Sequence, residues 1–158
     1  MYRPGKRSQP PSDPEKAFQA AMRTAENILA YADNSERMLR AKLLDRGYLP
    51  ETADRVADKL TELGELDEMR SAENICRSLA SGKLYGWARI KSYLLSKGYD
   101  SRVVARLPEM LDDVDFDENC LVLLTRLGGE KNRDNYMKLR RHGFSYENIR
   151  YAYDNTES

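Results

Sequence analysis

Leu39-Arg-Ala-Lys-Leu-Leu-Asp-Arg-Gly-Tyr48, Ile90-Lys-Ser-Tyr-Leu-Leu-Ser-Lys-Gly-Tyr99 and Asn135-Tyr-Met-Lys-Leu-Arg-Arg-His-Gly-Phe144 are three versions of one segment. Each carries Leu43, Leu94 or Leu139 in register, then a basic residue, then Gly47, Gly98 or Gly143, then an aromatic. A glycine in that place can take the left-handed conformation that closes a helix, and the cation before it complements the C-terminal dipole. Starting signals for a new helix follow within three residues: Pro50-Glu51, Ser101 and Ser145. A period of roughly 45–50 residues belongs to helical-repeat arrays.

Outward from these segments the apolar spacing is helical almost throughout. Phe18, Ala21, Met22, Ala25, Ile28, Leu29 and Ala32 follow the three–four rhythm of one buried helix face. Ala53, Val56, Ala57, Leu60 and Leu63 repeat it, as do Ala72, Ile75, Cys76 and Leu79, and Phe116, Cys120, Leu123, Leu124 and Leu127. No sustained apolar–polar alternation marks a strand. The expected fold is all-α, three tandem three-helix repeats forming an elongated, curved body. The expected helices are 15–31, 34–46 and 50–63, then 67–80, 86–97 and 101–112, then 116–127, 132–142 and 145–154. The corresponding modules are 15–65, 66–113 and 114–156, after a disordered basic tail over 1–14 that is rich in proline. Pro108 falls inside the sixth helix, which must either kink there or restart.

The chain has 158 residues, 41% apolar and 33% charged, with a formal net charge of zero. Zero net charge excludes bulk attraction to nucleic acid, so binding of a polyanion has to come from local charge separation. Cys76 and Cys120 stand alone on apolar helical positions and read as buried free thiols of a reducing compartment. No apolar run is long enough to span a bilayer, and a cytoplasmic location is expected.

Gly64-Glu-Leu66-Asp67-Glu68-Met-Arg-Ser-Ala72 resembles the L-D-D-x-x-F-A signature of the central module of RecX proteins. Gly86-Trp87-Ala88-Arg89-Ile90, with Leu94 and Lys97-Gly98, is similar to that family's G-x-x-R-I-x-x-x-L-x-x-K-G run. Ser35-Glu36, Leu39, Lys42-Leu43 and Gly47 match its first module, and Leu139, Gly143-Phe144-Ser145, Glu147 and Ile149 its third. Ser71 stands where the family usually has Phe, Glu68 replaces the second Asp, and Met38 replaces a common Glu. The resemblance implies a regulator of the RecA recombinase that lies along the nucleoprotein filament and lowers its ATPase and strand-exchange activities, in DNA repair and recombination. The RecA filament is the expected partner, with DNA as a secondary, salt-sensitive contact, no membrane and no cofactor, and the chain acting as a monomer. The resemblance gives Leu66, Asp67, Gly86, Ile90, Leu94, Gly47, Gly98 and Gly143 structural roles. The alternative is a helix-turn-helix-like protein that binds nucleic acid directly, without a RecA partner.

Charge is unevenly placed. From Arg77 to Arg106 there are seven basic residues and one acid, Asp100. Arg77, Lys83, Arg89, Lys91, Lys97 and Arg102, with Tyr85 among them, are the candidate partner- or DNA-binding residues, since cations beside aromatics grip phosphates, bases or an acidic protein groove. Trp87, Ile90 and Leu94 read as the buried stripe beneath them. Glu109 to Glu118 holds six acids and no base, yet Glu118 and Leu124 occupy positions where a calcium loop needs Gly and Glu. His142, the only histidine, precedes Gly143 at a helix end and reads as a cap. No catalytic pairing or metal-ligand cluster is recognisable, and the chain is not expected to be an enzyme.

Overall fold

The computed structural model describes residues 9–157, and among them there are nine α-helices and no strand. They are α1 (Pro14–Tyr31), α2 (Glu36–Asp45), α3 (Pro50–Glu62), α4 (Glu68–Gly82), α5 (Trp87–Ser96), α6 (Ser101–Met110), α7 (Phe116–Arg126), α8 (Arg133–Arg141) and α9 (Tyr146–Asn155). Every helix lies where the sequence places it, with ends shifted by two residues at most. Of the expected tail, residues 1–8 lie outside the described residues, while Asp13 and Pro14 already belong to the start of α1. The Asp13 carboxylate accepts from the Lys16 N–H at 3.1 Å and Pro14 opens the helix, the fixed φ of proline costing nothing in a first turn.

The chain divides into two compact units, and a three-residue turn interrupts the division. The first comprises the residues up to Ser71 together with Lys97–Tyr99. Its core is Ala21, Ala25 and Ile28 of α1, Leu39 and Leu43 of α2, Ala53, Val56, Ala57 and Leu60 of α3, and Leu66. The small alanine faces of α1 and α3 let those two helices approach, and leucines of α2 close the third side. Two buried hydroxyl contacts complete this unit. Ser35 caps α2 by accepting from the Met38 N–H and donates its own proton to the Lys97 carbonyl at 2.7 Å. Ser71 and Tyr99 share a hydrogen bond at 2.5 Å, so the serine found in place of an expected phenylalanine has a partner for its hydroxyl.

The second unit holds Ala72–Ser96 and the residues from Asp100 onward. Cys120 and Leu124 of α7, Leu139 of α8, Phe144, and Ile149 and Ala152 of α9 form one buried cluster. Ala72, Cys76, Ile90, Leu94, Val104 and Leu107 are buried on the preceding helices. Burial pushes the Cys76 thiol up to about 11 and the Cys120 thiol up to about 12, so both remain protonated. Helix α6 does not restart at Pro108: it runs through the proline and ends two residues later at Met110. The acids after it have structural uses, since Asp115 caps α7 by accepting from the Glu118 N–H at 2.9 Å. Asn135, in register with Leu39 and Ile90, is buried at 5% exposure, with its amide donating to the Glu130 carbonyl.

Gly47, Gly98 and Gly143 have φ of +91°, +82° and +103°, the left-handed closure expected of them. Gly86 is required for a different reason. A Cβ there would lie 2.3 Å from the Gly143 carbonyl carbon, a backbone atom that cannot move aside. Gly82, at the end of α4, has open space around it and no positive φ. Gly86→Ala is therefore expected to destabilise the protein by about 2 kcal/mol or more, and Gly82→Ala to be neutral or to stabilise by up to about 1 kcal/mol. Paired thermal melts measure both.

Candidate functional site

Within the second unit, the turn between α8 and α9 is laid against the start of α5. The Gly86 N–H donates to the His142 carbonyl at 2.9 Å and the Ala88 N–H to the Gly143 carbonyl at 3.2 Å. His142 caps α8 as expected, but its ring also reaches the α4–α5 loop, with Nε2 2.7 Å from the Lys83 carbonyl oxygen. Tyr85 meets the His142 ring edge-on, centroids 5.0 Å apart, and the Arg89 guanidinium lies 4.0 Å above the Tyr85 ring. Leu84 makes this loop possible. It is buried at 7% and holds φ at +55°, a conformation that costs a non-glycine residue about 1 kcal/mol and persists only where packing enforces it.

This contact joins two segments without a single acid: residues 83–96 and residues 135–146. Between them they present six exposed cations: Lys83, Arg89 and Lys91 from one, Lys138, Arg140 and Arg141 from the other. Among the described residues none of the six is ion-paired. Unpaired cations, one of them lying over an aromatic ring, suit polyanions and acidic protein faces, because their field is not cancelled locally.

The structure sorts the residues singled out in the sequence. Lys83, Tyr85, Arg89 and Lys91 all lie in the 83–96 segment, where Arg89 covers the Tyr85 ring. Arg77 does not act as a free cation: it clamps Asp113 through Nε and Nη2 at 3.0 and 3.2 Å and also contacts Glu73. That hydrogen bonding holds the Asp113 carboxyl below the usual carboxylate range. Arg102 is likewise occupied by Asp100, which also caps α6. Lys97 belongs to the first unit, where its carbonyl receives the Ser35 hydroxyl. Lys138, Arg140 and Arg141 were not singled out by the sequence reading. The one signal for them is the acid-free run 135–146, which gains meaning only beside residues 83–96.

Trp87 departs from the fully buried place expected of it. Ile90 and Leu94 are completely buried, but Trp87 is half-buried. It lines an apolar cleft of about 440 Å³ with Pro108, Leu111, Val114, Phe116 and Phe144. Gly86 ahead of it and the α8–α9 turn hold the start of α5 too close to the backbone for the indole to enter the core.

Among the described residues, no three His, Cys, Asp or Glu side chains come together to hold a metal, and no helix is long and apolar enough to cross a membrane.

Residues 21–60 match the family model described as RecX, first three-helix domain. The Regulatory protein RecX of Stenotrophomonas maltophilia (strain R551-3) is 31% identical over 141 residues, covering 85% of this chain and 85% of that protein. The Regulatory protein RecX of Xanthomonas axonopodis pv. citri (strain 306) is 30% identical over 141 residues, covering 85% and 86%. The crystal structure of RecX from Lactobacillus salivarius aligns with a TM-score of 0.74 at 21% identity, over 87% of this chain and 94% of that one.

The Arg77–Asp113 clamp sets a pH signature. The folded carboxyl titrates below its unfolded value, so its contribution is complete above the unfolded pKa and is lost as pH falls through the folded one. Asp113→Asn should lower the melting temperature near neutrality, and the gap to the parent should close as the pH falls below the ordinary carboxylate range. Melts across a pH series would show it.

Proposed function

Since the chain belongs to the RecX family, we propose that it binds the RecA nucleoprotein filament and restrains its ATPase and strand-exchange activities, as a cytoplasmic regulator without chemistry of its own. The observation that carries this reading is the meeting of two acid-free segments at Gly86 and Gly143, which together carry six exposed cations without an ion pair on a chain of zero net charge, Arg89 among them lying over Tyr85. Such a surface is attractive to a filament whose DNA and acidic protein faces are both negative, while the balanced remainder keeps the chain from binding polyanions indiscriminately. Of the six cations only Arg89 falls within the family motifs, which otherwise consist mostly of glycines, leucines and helix starts.

A direct nucleic-acid role is the second reading, and the aromatic ladder from Arg89 through Tyr85 to His142 favours it, because rings and guanidinium planes stack on unpaired bases. The two readings separate on salt and on partner. Binding to single-stranded DNA alone should fall steeply with ionic strength, and filament binding should require RecA.

The test is single-strand-dependent RecA ATPase with and without the protein. Arg89→Glu combined with Lys91→Glu should weaken inhibition at least tenfold, about 1.4 kcal/mol of binding. Lys138→Glu with Arg141→Glu should weaken it comparably, although these residues lie far away in sequence. Arg126→Glu, an exposed cation outside both segments, is the control and should inhibit like the parent. Folded variants of both pairs that still inhibit fully would place the contact elsewhere.

A further inference from the structure

The glycine turns do more than end helices: two of them are seated on the start of another helix. Within the first unit, the turn Lys97–Gly98–Tyr99 rests on the N-terminus of α2. The Ser35 hydroxyl donates to the Lys97 carbonyl at 2.7 Å, and Arg37 Cδ and Ser35 Oγ lie 3.2 Å from where a Gly98 Cβ would be. Within the second unit, His142–Gly143–Phe144 rests on the N-terminus of α5, with the Gly86 N–H donating to the His142 carbonyl and Arg89 Cβ 2.6 Å from the place of a Gly143 Cβ. The bond runs in the same direction both times, from the residue at the head of the helix to the carbonyl just before the glycine. Both seats are closed. Ser35 and Gly86 are buried, and Tyr99 and Phe144 are 4% and 1% exposed.

The chain contains a third turn and a third helix start at the matching positions, and both are exposed. Arg46–Gly47–Tyr48 has the same backbone, with Gly47 at φ +91°, but Gly47 is exposed and Tyr48 only half-buried. What touches Gly47 is Pro10, whose Cδ lies 3.3 Å from where a Cβ would be. The start of α8 is in register with Ser35 and Gly86 at Lys131, and Lys131, Asn132 and Arg133 are all exposed. The charges at the two free ends are opposed. Asp45 and Glu51 flank the Gly47 turn and are exposed, while Arg46 is folded back with Nη1 on the Lys42 carbonyl. Lys131 and Arg133 flank the α8 start, Glu130 is engaged by the Asn132 amide, and Asp134 lies one residue further into the helix.

We propose that the protein associates head to tail with a second copy of itself, the Gly47 turn of one copy seating on the start of α8 in the next, with Pro10 and Pro11 competing for the Gly47 turn as a cap. The Gly47 turn and the α8 start stand at the positions whose counterparts pair twice within the chain, and such a pair between copies is heterologous, adding copies in a row instead of closing a dimer. Displacing the proline segment costs part of the contact energy, so association is weak in the intact protein. The monomer expected from the sequence is, on this proposal, the capped form.

Sedimentation velocity of the full chain across a concentration series tests this. Two charge reversals probe the ends while favouring their own helices. Asp45→Lys puts a cation at the C-terminus of α2, and Arg133→Glu puts an anion at the N-terminus of α8. Each alone should weaken self-association at least about fivefold, and an equimolar mixture of the two should restore the parent's behaviour, because each new charge then faces its opposite. Pro10→Gly with Pro11→Gly should strengthen association about tenfold by loosening the cap. The proposal is overturned if the parent and the cap-loosened variant both sediment as monomers up to about 0.5 mM. It is equally overturned if either reversal associates like the parent, or if the mixture fails to recover.

Discussion

The Gly86 N–H reaches the His142 carbonyl because neither Gly86 nor Gly143 carries a Cβ, and the second unit is organised around that approach. It sets the start of α5 against the end of α8, and everything near it follows. Trp87 is kept half out of the core, Phe144 is driven into it, and Leu84 is held in a left-handed conformation so that Tyr85 can meet His142. Buried backbone groups must find partners. Here two N–H groups at the head of one helix satisfy two carbonyls at the tail of another, and both helix ends are closed by a single contact.

The same economy runs through the polar groups. Asp13, Ser35, Asp100, Asp115, Asn132 and Ser145 each accept from a backbone N–H of the helix they precede. Most caps of this kind contribute about 1 kcal/mol. Short helices of nine to eleven residues would be marginal alone, so their stability comes from caps at each end and from one buried face. Ser35 goes further, using its second hydrogen-bonding capacity to hold the Lys97 carbonyl.

Zero net charge conceals a segregation. Arg40 lies among Glu36, Asp54 and Asp58, Arg55 meets Glu15, and Arg77 meets Glu73 and Asp113. Exposed pairs of this sort add little stability, but they cancel their own fields. The six cations of segments 83–96 and 135–146 have no such partners, so their fields are not cancelled in place.

The helices, their caps and the three glycine turns were legible in the sequence because they rest on local physics: a three–four apolar rhythm, an oxygen three residues before an N–H, a residue free to take positive φ. The family motifs were legible for the same reason, being made of those turns and caps. The candidate surface was legible only in part. Lys83, Tyr85, Arg89 and Lys91 could be read from one run of chain, but the removal of Arg77 and Arg102 by Asp113 and Asp100 and the addition of Lys138, Arg140 and Arg141 could not. Residues some fifty positions apart become neighbours through one backbone contact between two glycines, and a sequence states which residues are small without stating which of them touch. Local order was thus determined by the sequence itself; which charges are neutralised and which are gathered was decided by tertiary structure, because electrostatic fields depend on distances through space and not along the chain.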